Sequence, residues 1–267
     1  MTRHTRRDFF KSSMAGAAAA AATVRGAVLA AGDPVLGLIF PPKDYPVPPE
    51  ALRLYPTGVK FLSRGIGLER LTPDGYDAAI PKVIPAAESL VREGATAVSV
   101  MGTSLTFYKG RAFNEDLTAR VKQATGVPVT TMSTGIVEGL RAAKARRIAV
   151  ATAYNVEVTD RLKAFLEEYG FMVLNANGLG YEQIPAGGDI IDNRLSEFCA
   201  ETFESARGAD TLLISCGGLK TLDLIVPLEA RCKVPVVSST PHALMASVRL
   251  VGLSGRARGF GRVLERV

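Results

Sequence analysis

Short apolar runs rich in β-branched residues alternate with longer amphipathic stretches along most of this 267-residue chain. The runs predict strands at residues 35–40, 97–101, 127–132, 147–153, 172–176, 211–216 and 234–239. Helices are expected between them, near residues 75–93, 112–125, 137–143, 156–169, 192–207 and 221–232. Such alternation is typical of parallel sheets joined by right-handed crossovers, so the sequence predicts an α/β fold. Residues 41–56, which are rich in proline, are expected to form an irregular loop.

A weak internal repeat divides this pattern in two. The segment AVSVMGTSL, a helix and GVPVTTMST in the first half resemble LLISCGGL, a helix and KVPVVSSTP in the second. The repeat predicts two pseudo-symmetric, Rossmann-like halves with parallel sheets and the active site between them. We assign residues 35–145 plus 243–267 to the first α/β lobe and residues 146–242 to the second.

The N-terminal residues 1–31 have the pattern of an export signal rather than of a folded element. The segment TRRDFFK, which begins at Thr5, resembles a twin-arginine signal, and an alanine-rich stretch and small residues suited to a signal peptidase follow it. A membrane anchor is the alternative, but the apolar stretch is too short to span a bilayer and Arg25 interrupts it. We therefore expect contact with the twin-arginine translocase, cleavage near Ala31, no stable membrane anchor afterwards and a periplasmic protein.

The positive charge of the chain is concentrated in this leader. The whole sequence has a formal net charge of +6, and residues outside 1–31 comprise 27 basic and 25 acidic side chains, a net charge of +2. This small excess argues against nucleic acid as a partner.

One thiol stands out because of where it lies in the pattern. Cys216 ends a buried strand and is followed at once by Gly217 and Gly218, which permit close approach of a ligand and leave backbone N–H groups available for an anion. Structural burial is the alternative role. Cys199, on the apolar face of a helix, and Cys232 are expected to be structural, since an odd cysteine count argues against a full disulfide framework.

Hydroxyl groups follow two other strands. Thr103, Ser104 and Tyr154 come just after strand ends, where α/β proteins place ligand sites. Together with loop amides they suit a carboxylate, or the enediolate that forms beside one, and a thiol can deliver a proton to carbon. Helix capping is the alternative role of Thr103 and Ser104, and the alternative for Tyr154 is a rim aromatic.

Several other chemistries lack their motifs. No G-x-S-x-G, G-x-G-x-x-G after the first strand, P-loop or metal-ligand spacing is present, so we expect no cofactor and no metal. His242 is the one histidine outside the leader. It is either a second acid or, more simply, a satisfied surface or core histidine.

Longer motifs carry a resemblance that covers nearly all of the chain after the leader. The chain resembles the cofactor-independent aspartate/glutamate racemase superfamily and, within it, the arylmalonate decarboxylases. The segments that carry the resemblance are GLERLTPDGYDA (67–78), VMGTSLTFYKGRAFN (100–114), TTMSTGIVEGLRA (130–142), RRIAVATAYNVEVTDRLKAFL (146–166) and LLISCGGLKTLD (212–223).

The resemblance implies roles for individual residues. Cys216 matches the proton-donating cysteine, and the dioxyanion hole that holds the retained carboxylate matches Thr103, Ser104, Tyr154 and the amide of Gly217. The positions that line the substituent pocket match Pro41, Leu68, Leu71, Gly102 and Val156, with Thr159 as a further candidate. The implied substrate is a small carboxylate or dicarboxylate, specifically an aryl- or alkenyl-substituted malonate.

Gly102 separates the functional alternatives. Racemases of the superfamily carry a second cysteine at this position, and a one-thiol site suits stereospecific protonation after decarboxylation. Two other functions remain open: a racemase or maleate-type cis-trans isomerase, and an exported protein that only binds carboxylates.

Overall fold

The computed structural model describes residues 32–185 and 187–267, so the predicted leader at residues 1–31 lies outside the described residues. Eight strands occur in this part of the chain: Val35–Phe40 (β1), Lys60–Gly65 (β2), Ala97–Val100 (β3), Val129–Thr131 (β4), Arg147–Tyr154 (β5), Met172–Tyr181 (β6), Thr211–Ser215 (β7) and Val236–Ser238 (β8).

The longer helices lie between the strands and after the last one. They are Pro49–Leu54 (α1), Pro73–Ala79 (α2), Val83–Arg92 (α3), Thr103–Phe107 (α4), Gly110–Thr125 (α5), Met132–Ala142 (α6), Val156–Glu168 (α7), Leu195–Ser205 (α8), Ile225–Cys232 (α9), Ser239–Arg249 (α10) and Arg262–Arg266 (α11). Two single 3-10 turns, Ile80–Lys82 and Leu222–Leu224, precede α3 and α9.

The strands form two parallel sheets of the same topology. One has the order β2-β1-β3-β4 and the other β6-β5-β7-β8, and every pairing within them is parallel. Each strand of the first half therefore has a counterpart four strands later in the same place of the second sheet. The predicted α/β class with two pseudo-symmetric halves is confirmed.

Burial explains which strands the sequence revealed. The central strands β3 and β7 are buried along their whole length, as expected of parallel strands covered on both faces. The edge strand β2 is only half-buried and reads KFLSRG, so it lacks a continuous apolar run and was not predicted. Its counterpart at the edge of the second sheet, β6, is also largely exposed and continues five residues beyond the predicted end at residue 176.

Two helices correct the expectations for the loops. The segment 41–56, expected to be irregular, contains α1, which begins with Pro49 in its first turn, where a missing N–H costs nothing. Helix α10 follows the last strand and was not predicted. Its residues from Ser239 to Val248 are all buried, so it has no polar face and shows no amphipathic pattern.

Helix α10 packs closely against α6. The approach requires a glycine, because a Cβ atom at Gly135 would lie 2.6 Å from the Cα of Ala243. The adjacent C-terminal helix behaves differently, since α11 contacts β8 and the N–H of Arg262 donates to Oε2 of Glu229 in α9 at 3.0 Å. The contacts of α11 are thus with elements of the second sheet's half, and the assignment of 243–267 to the first lobe stays a prediction.

From Asp33 to Val267 the chain forms one compact unit. The exact boundaries proposed for two lobes stay a prediction. None of the helices in the described residues is long and apolar enough to cross a membrane.

His242 lies at the centre of this packing rather than at an acid-base site. Its side chain is fully buried in α10, the N–H of Ser238 donates to its Nδ1 at 3.0 Å, and Nε2 has no hydrogen-bond partner. Burial lowers the pKa of His242 to about 4. The ring is therefore a neutral core group.

We expect His242 to make the protein sensitive to mild acid. Between pH 6.5 and pH 4 an unfolded chain binds a proton that the folded chain does not, so the free energy of unfolding falls as pH falls through this window. The full effect is on the order of 3 kcal/mol. Urea unfolding from pH 7 to 4.5 should show a steeper loss for the wild type than for His242→Gln. Parallel curves would contradict the assignment.

Candidate active site

The carboxyl ends of the strands in both sheets border one cavity of about 470 Å³, a volume that includes its open mouth. The first half contributes residues that follow β1 and β3, and the second half contributes residues that follow or end β5 and β7. The predicted site residues found in its wall are Pro41, Leu71, Gly102, Thr103, Ser104, Tyr154, Cys216 and Gly217.

Cys216 directly follows β7 and is 8% exposed. Its backbone has a φ of +156°, which an L-residue rarely adopts and which must be held by its surroundings. The N–H of Cys216 donates to Oγ of Ser239 at 3.1 Å, and its carbonyl oxygen accepts from the N–H of Leu219 at 3.2 Å. Both backbone groups of the residue are therefore fixed.

The thiol of Cys216 is held in its protonated form. Burial raises its pKa, and the nearby donors of Gly218, Tyr154 and Leu219, which would favour the thiolate, offset this only in part. A neutral thiol at a cavity wall can act as a proton donor rather than as a standing nucleophile.

Thr103 and Ser104 begin helix α4, immediately after β3 and Gly102. Both are buried. The hydroxyl of Thr103 lies 3.2 Å from Oγ of Ser239 and 2.8 Å from Sδ of Met132. Neither side chain caps the helix, since no cap hydrogen bond is formed at Gly102. The capping alternative is thus not what places these hydroxyls.

Tyr154 ends β5 and is 1% exposed, with its ring 5.7 Å from that of Phe107. Its hydroxyl is buried and has no hydrogen-bond partner. Burial raises the pKa of Tyr154 well above its ordinary value, so the group stays a neutral donor. An unsatisfied buried donor in a cavity wall is costly unless a ligand accepts its hydrogen bond, which argues against a mere rim aromatic.

Two residues in this cluster were missed by the sequence reasoning. Ser239 was assigned to a strand, yet it begins α10 and accepts from the backbone of Cys216. Tyr76 is fully buried in α2 with an unpartnered hydroxyl, and burial raises its pKa above the ordinary value. Tyr76 stands in the quoted segment GLERLTPDGYDA, which was the one available signal.

The predicted pocket residues are placed unevenly. Leu68 is buried but is not part of the cavity wall, and its N–H donates to the carbonyl of Pro41 at 2.7 Å. Thr159 is also buried outside the wall, hydrogen-bonded to Thr152 at 2.8 Å. The prediction for Val156 is wrong: it begins α7 on the outer side and is 77% exposed.

Other apolar side chains complete the wall instead. They are Phe40 and Tyr45 from the first half and Ile184 and Ile190 from the segment that follows β6. Phe40 ends β1, but Tyr45, Ile184 and Ile190 lie in irregular segments, where no periodic pattern marks the buried positions.

Neither His242 nor a metal cluster adds to the site. His242 is absent from the cavity wall, so the hypothesis of a second acid at this position is not supported. Within residues 32–185 and 187–267, no three His, Cys, Asp or Glu side chains are grouped so as to hold a metal ion. Cys199, Cys216 and Cys232 are all free thiols.

Comparison with known proteins agrees with this architecture. The family model "Arylmalonate decarboxylase" matches residues 36–264. Arylmalonate decarboxylase of Bordetella bronchiseptica is 45% identical over 236 residues, which are 88% of this chain and 98% of that protein. A crystal structure of a liganded double mutant of arylmalonate decarboxylase superposes with a TM-score of 0.84 at 44% identity, covering 88% of this chain and 100% of that chain.

A more distant relative is the maleate isomerase of Nocardia farcinica, 25% identical over 244 residues, which are 86% of this chain and 95% of that protein. A crystal structure of that isomerase, at 20% identity and a TM-score of 0.80, covers 88% of this chain and 99% of that chain and shows the common fold.

The fold, the site and the close relative together define a carboxy-lyase, an enzyme that removes a carboxyl group. The chain belongs to the arylmalonate decarboxylase family. Membership sets aside the alternative of a protein that only binds carboxylates.

Ser239 is expected to position the thiol. In Ser239→Ala the buried N–H of Cys216 loses its acceptor, which costs about 1–3 kcal/mol, and the resulting shift of the thiol should lower kcat about tenfold with a smaller change in KM. Steady-state decarboxylation kinetics measure the changes of kcat and KM separately.

The matched control is Ser247→Ala on the same helix. The buried hydroxyl of Ser247 donates to Oγ of Ser99 at 2.8 Å, and neither residue is part of the cavity wall. It should reduce stability and leave kcat unchanged. Equal kcat losses in the two variants would refute the positioning role.

Proposed function

We propose that the protein decarboxylates malonates that carry an aryl or alkenyl substituent, and that Cys216 protonates the resulting enediolate on one face. The observation that carries this proposal is a single buried thiol in one cavity wall together with three buried hydroxyls and Gly102. The family to which the chain belongs supports the same reaction.

The retained carboxylate is proposed to lie against the hydroxyls of Thr103, Ser104 and Tyr154 and the amide of Gly217. Tyr154 supplies the donor that otherwise has no partner. Charge on this carboxylate grows from one to two during the reaction, so fixed donors stabilise the transition state more than the substrate.

The departing carboxylate is proposed to face the apolar side of the cavity, formed by Pro41, Leu71 and Ile190. A carboxylate is poorly solvated there, and its loss as neutral carbon dioxide is favoured. The electron pair of the broken carbon–carbon bond passes to the α-carbon and the retained carboxylate, which together form the enediolate.

Proton transfer completes the reaction. The S–H bond of Cys216 breaks, its proton forms the new C–H bond at the α-carbon, and the thiolate later regains a proton from solvent. The backbone N–H groups of Gly218 and Leu219, which lie near the sulfur, can hold the transient thiolate.

A racemase or cis-trans isomerase needs a second acid or nucleophile on the opposite face. The resemblance assigns Gly102 to that face, and a glycine has no side chain that could act as an acid. The lack of an acidic or nucleophilic side chain at Gly102 supports one-sided protonation over racemisation.

The deciding test of the proposed reaction is carbon dioxide release from phenylmalonate. Cys216→Ala should lose at least about a hundredfold in kcat, because general acid catalysis contributes this much or more. The control Cys199→Ala, a fully buried thiol in α8, should keep its kcat. A fully active Cys216→Ala variant would remove the mechanism.

We also propose that the chain is exported to the periplasm through the twin-arginine route. The motif Arg6-Arg7 followed by Asp8, Phe9 and Phe10 supports this proposal. Replacing both arginines with lysine should retain the protein in the cytoplasmic fraction. Unchanged periplasmic recovery of that double variant would rule the route out.

A further inference from the structure

The outer wall of the cavity includes a tyrosine that the proposed proton transfer does not use. Tyr45 lies in the loop between β1 and α1 and lines the cavity. Its ring packs on that of Phe40 with centroids 4.7 Å apart. It also lies against Gly188, where a Cβ atom would come within 2.7 Å of the ring. The ring thus fills the space between two segments of the chain.

The hydroxyl of Tyr45 is anchored by residues of the other half. It donates to Oδ1 of Asp189 at 2.6 Å and accepts from Nζ of Lys220 at 3.1 Å. Lys220 and Asp189 are themselves paired at 2.9 Å, and Glu50 lies 3.7 Å from the same ammonium. Burial, followed by the bond to Asp189, raises the pKa of Tyr45 to about 12, so the hydroxyl remains a donor.

The anchor is continuous with the loop that carries the thiol. Lys220 stands four residues after Cys216. Asp189 precedes Ile190, whose N–H donates to the carbonyl of Gly218 at 2.8 Å. The side chains of Lys220 and Asp189 are 35% and 38% exposed, so the anchor lies at the rim, where solvent and substrate enter.

We propose that Tyr45 is a specificity-determining residue, held across the cavity mouth by Asp189 and Lys220, that restricts the substituent on the substrate's α-carbon to a compact one such as a single ring. The inference rests on the proposed malonate decarboxylation. Its basis is steric: the ring lines the same cavity as Cys216, and the anchor through Asp189 and Lys220 keeps it from turning aside.

The test compares kcat/KM for 2-naphthylmalonate with that for phenylmalonate. Tyr45→Ala should raise this ratio at least about tenfold, the scale on which apolar pockets discriminate by size. Tyr45→Phe keeps the ring but removes the anchored hydroxyl, and Lys220→Met removes the cation. Both should shift the ratio in the same direction by a smaller factor.

Arg231→Met is the matched control. Arg231 pairs with Glu197 and Glu204 on the surface and is not part of the cavity wall, so its loss should leave the ratio unchanged. A folded Tyr45→Ala variant with the wild-type ratio would overturn the proposal.

A second experiment measures access to the cavity independently of decarboxylation. Cys216 is alkylated with iodoacetamide and, separately, with N-(1-pyrenyl)maleimide, and the labelled peptide is quantified by mass spectrometry. Tyr45→Ala should increase the rate of Cys216 alkylation by the pyrenyl reagent more than the rate with iodoacetamide. Equal increases for the two reagents would overturn the proposal. If no variant releases carbon dioxide from either malonate, the proposed function fails and the alkylation ratio alone decides the role of Tyr45.

Discussion

The hydroxyl of Ser239 connects the two sheets at the point where the chemistry is placed. Its oxygen accepts the N–H of Cys216, which follows a strand of the second sheet, and lies 3.2 Å from the hydroxyl of Thr103, which follows a strand of the first. Because parallel strands present their carboxyl ends at one edge, two sheets of the same topology can bring these residues together. The distance between Cys216 and Thr103 then depends on the buried contacts of Ser239 rather than on flexible loops.

Burial sets the electrostatics of this site. The thiol of Cys216 and the phenol of Tyr154 both have pKa values raised by desolvation, so the cavity offers neutral donors instead of charges. Neutral donors do not cancel the charge of a bound carboxylate before the reaction begins. They gain most when negative charge grows beside them, which is the requirement for stabilising an enediolate.

The sequence predicted the strands that have continuous apolar runs and missed the elements that lack a clear pattern. Strands such as β7 and the thiol that follows it were recognisable because continuous apolar runs end in Cys216-Gly217-Gly218. Edge strand β2 and the wholly buried helix α10 have no such contrast between apolar and polar positions, so neither was found. Ser239 was missed together with α10.

The cavity wall shows the same division. The hydroxyls of Thr103 and Tyr154 follow strands and were assigned from position and resemblance, whereas Tyr45 and Ile190 come from irregular segments. Val156 was misplaced because resemblance assigns a position in the chain but not the direction of a side chain at the start of a helix. Tertiary contacts alone decide such orientations.

The central claim is that one thiol protonates one face of the intermediate. The most direct measurement is the decarboxylation of 2-methyl-2-phenylmalonate in deuterated water, with analysis of the 2-phenylpropionate by chiral chromatography and mass spectrometry. We predict a single enantiomer with one deuteron at the α-carbon, formed by the wild type and not by Cys216→Ala. Racemic product from the wild type, or the same enantiomer at the same rate from the variant, would contradict the account.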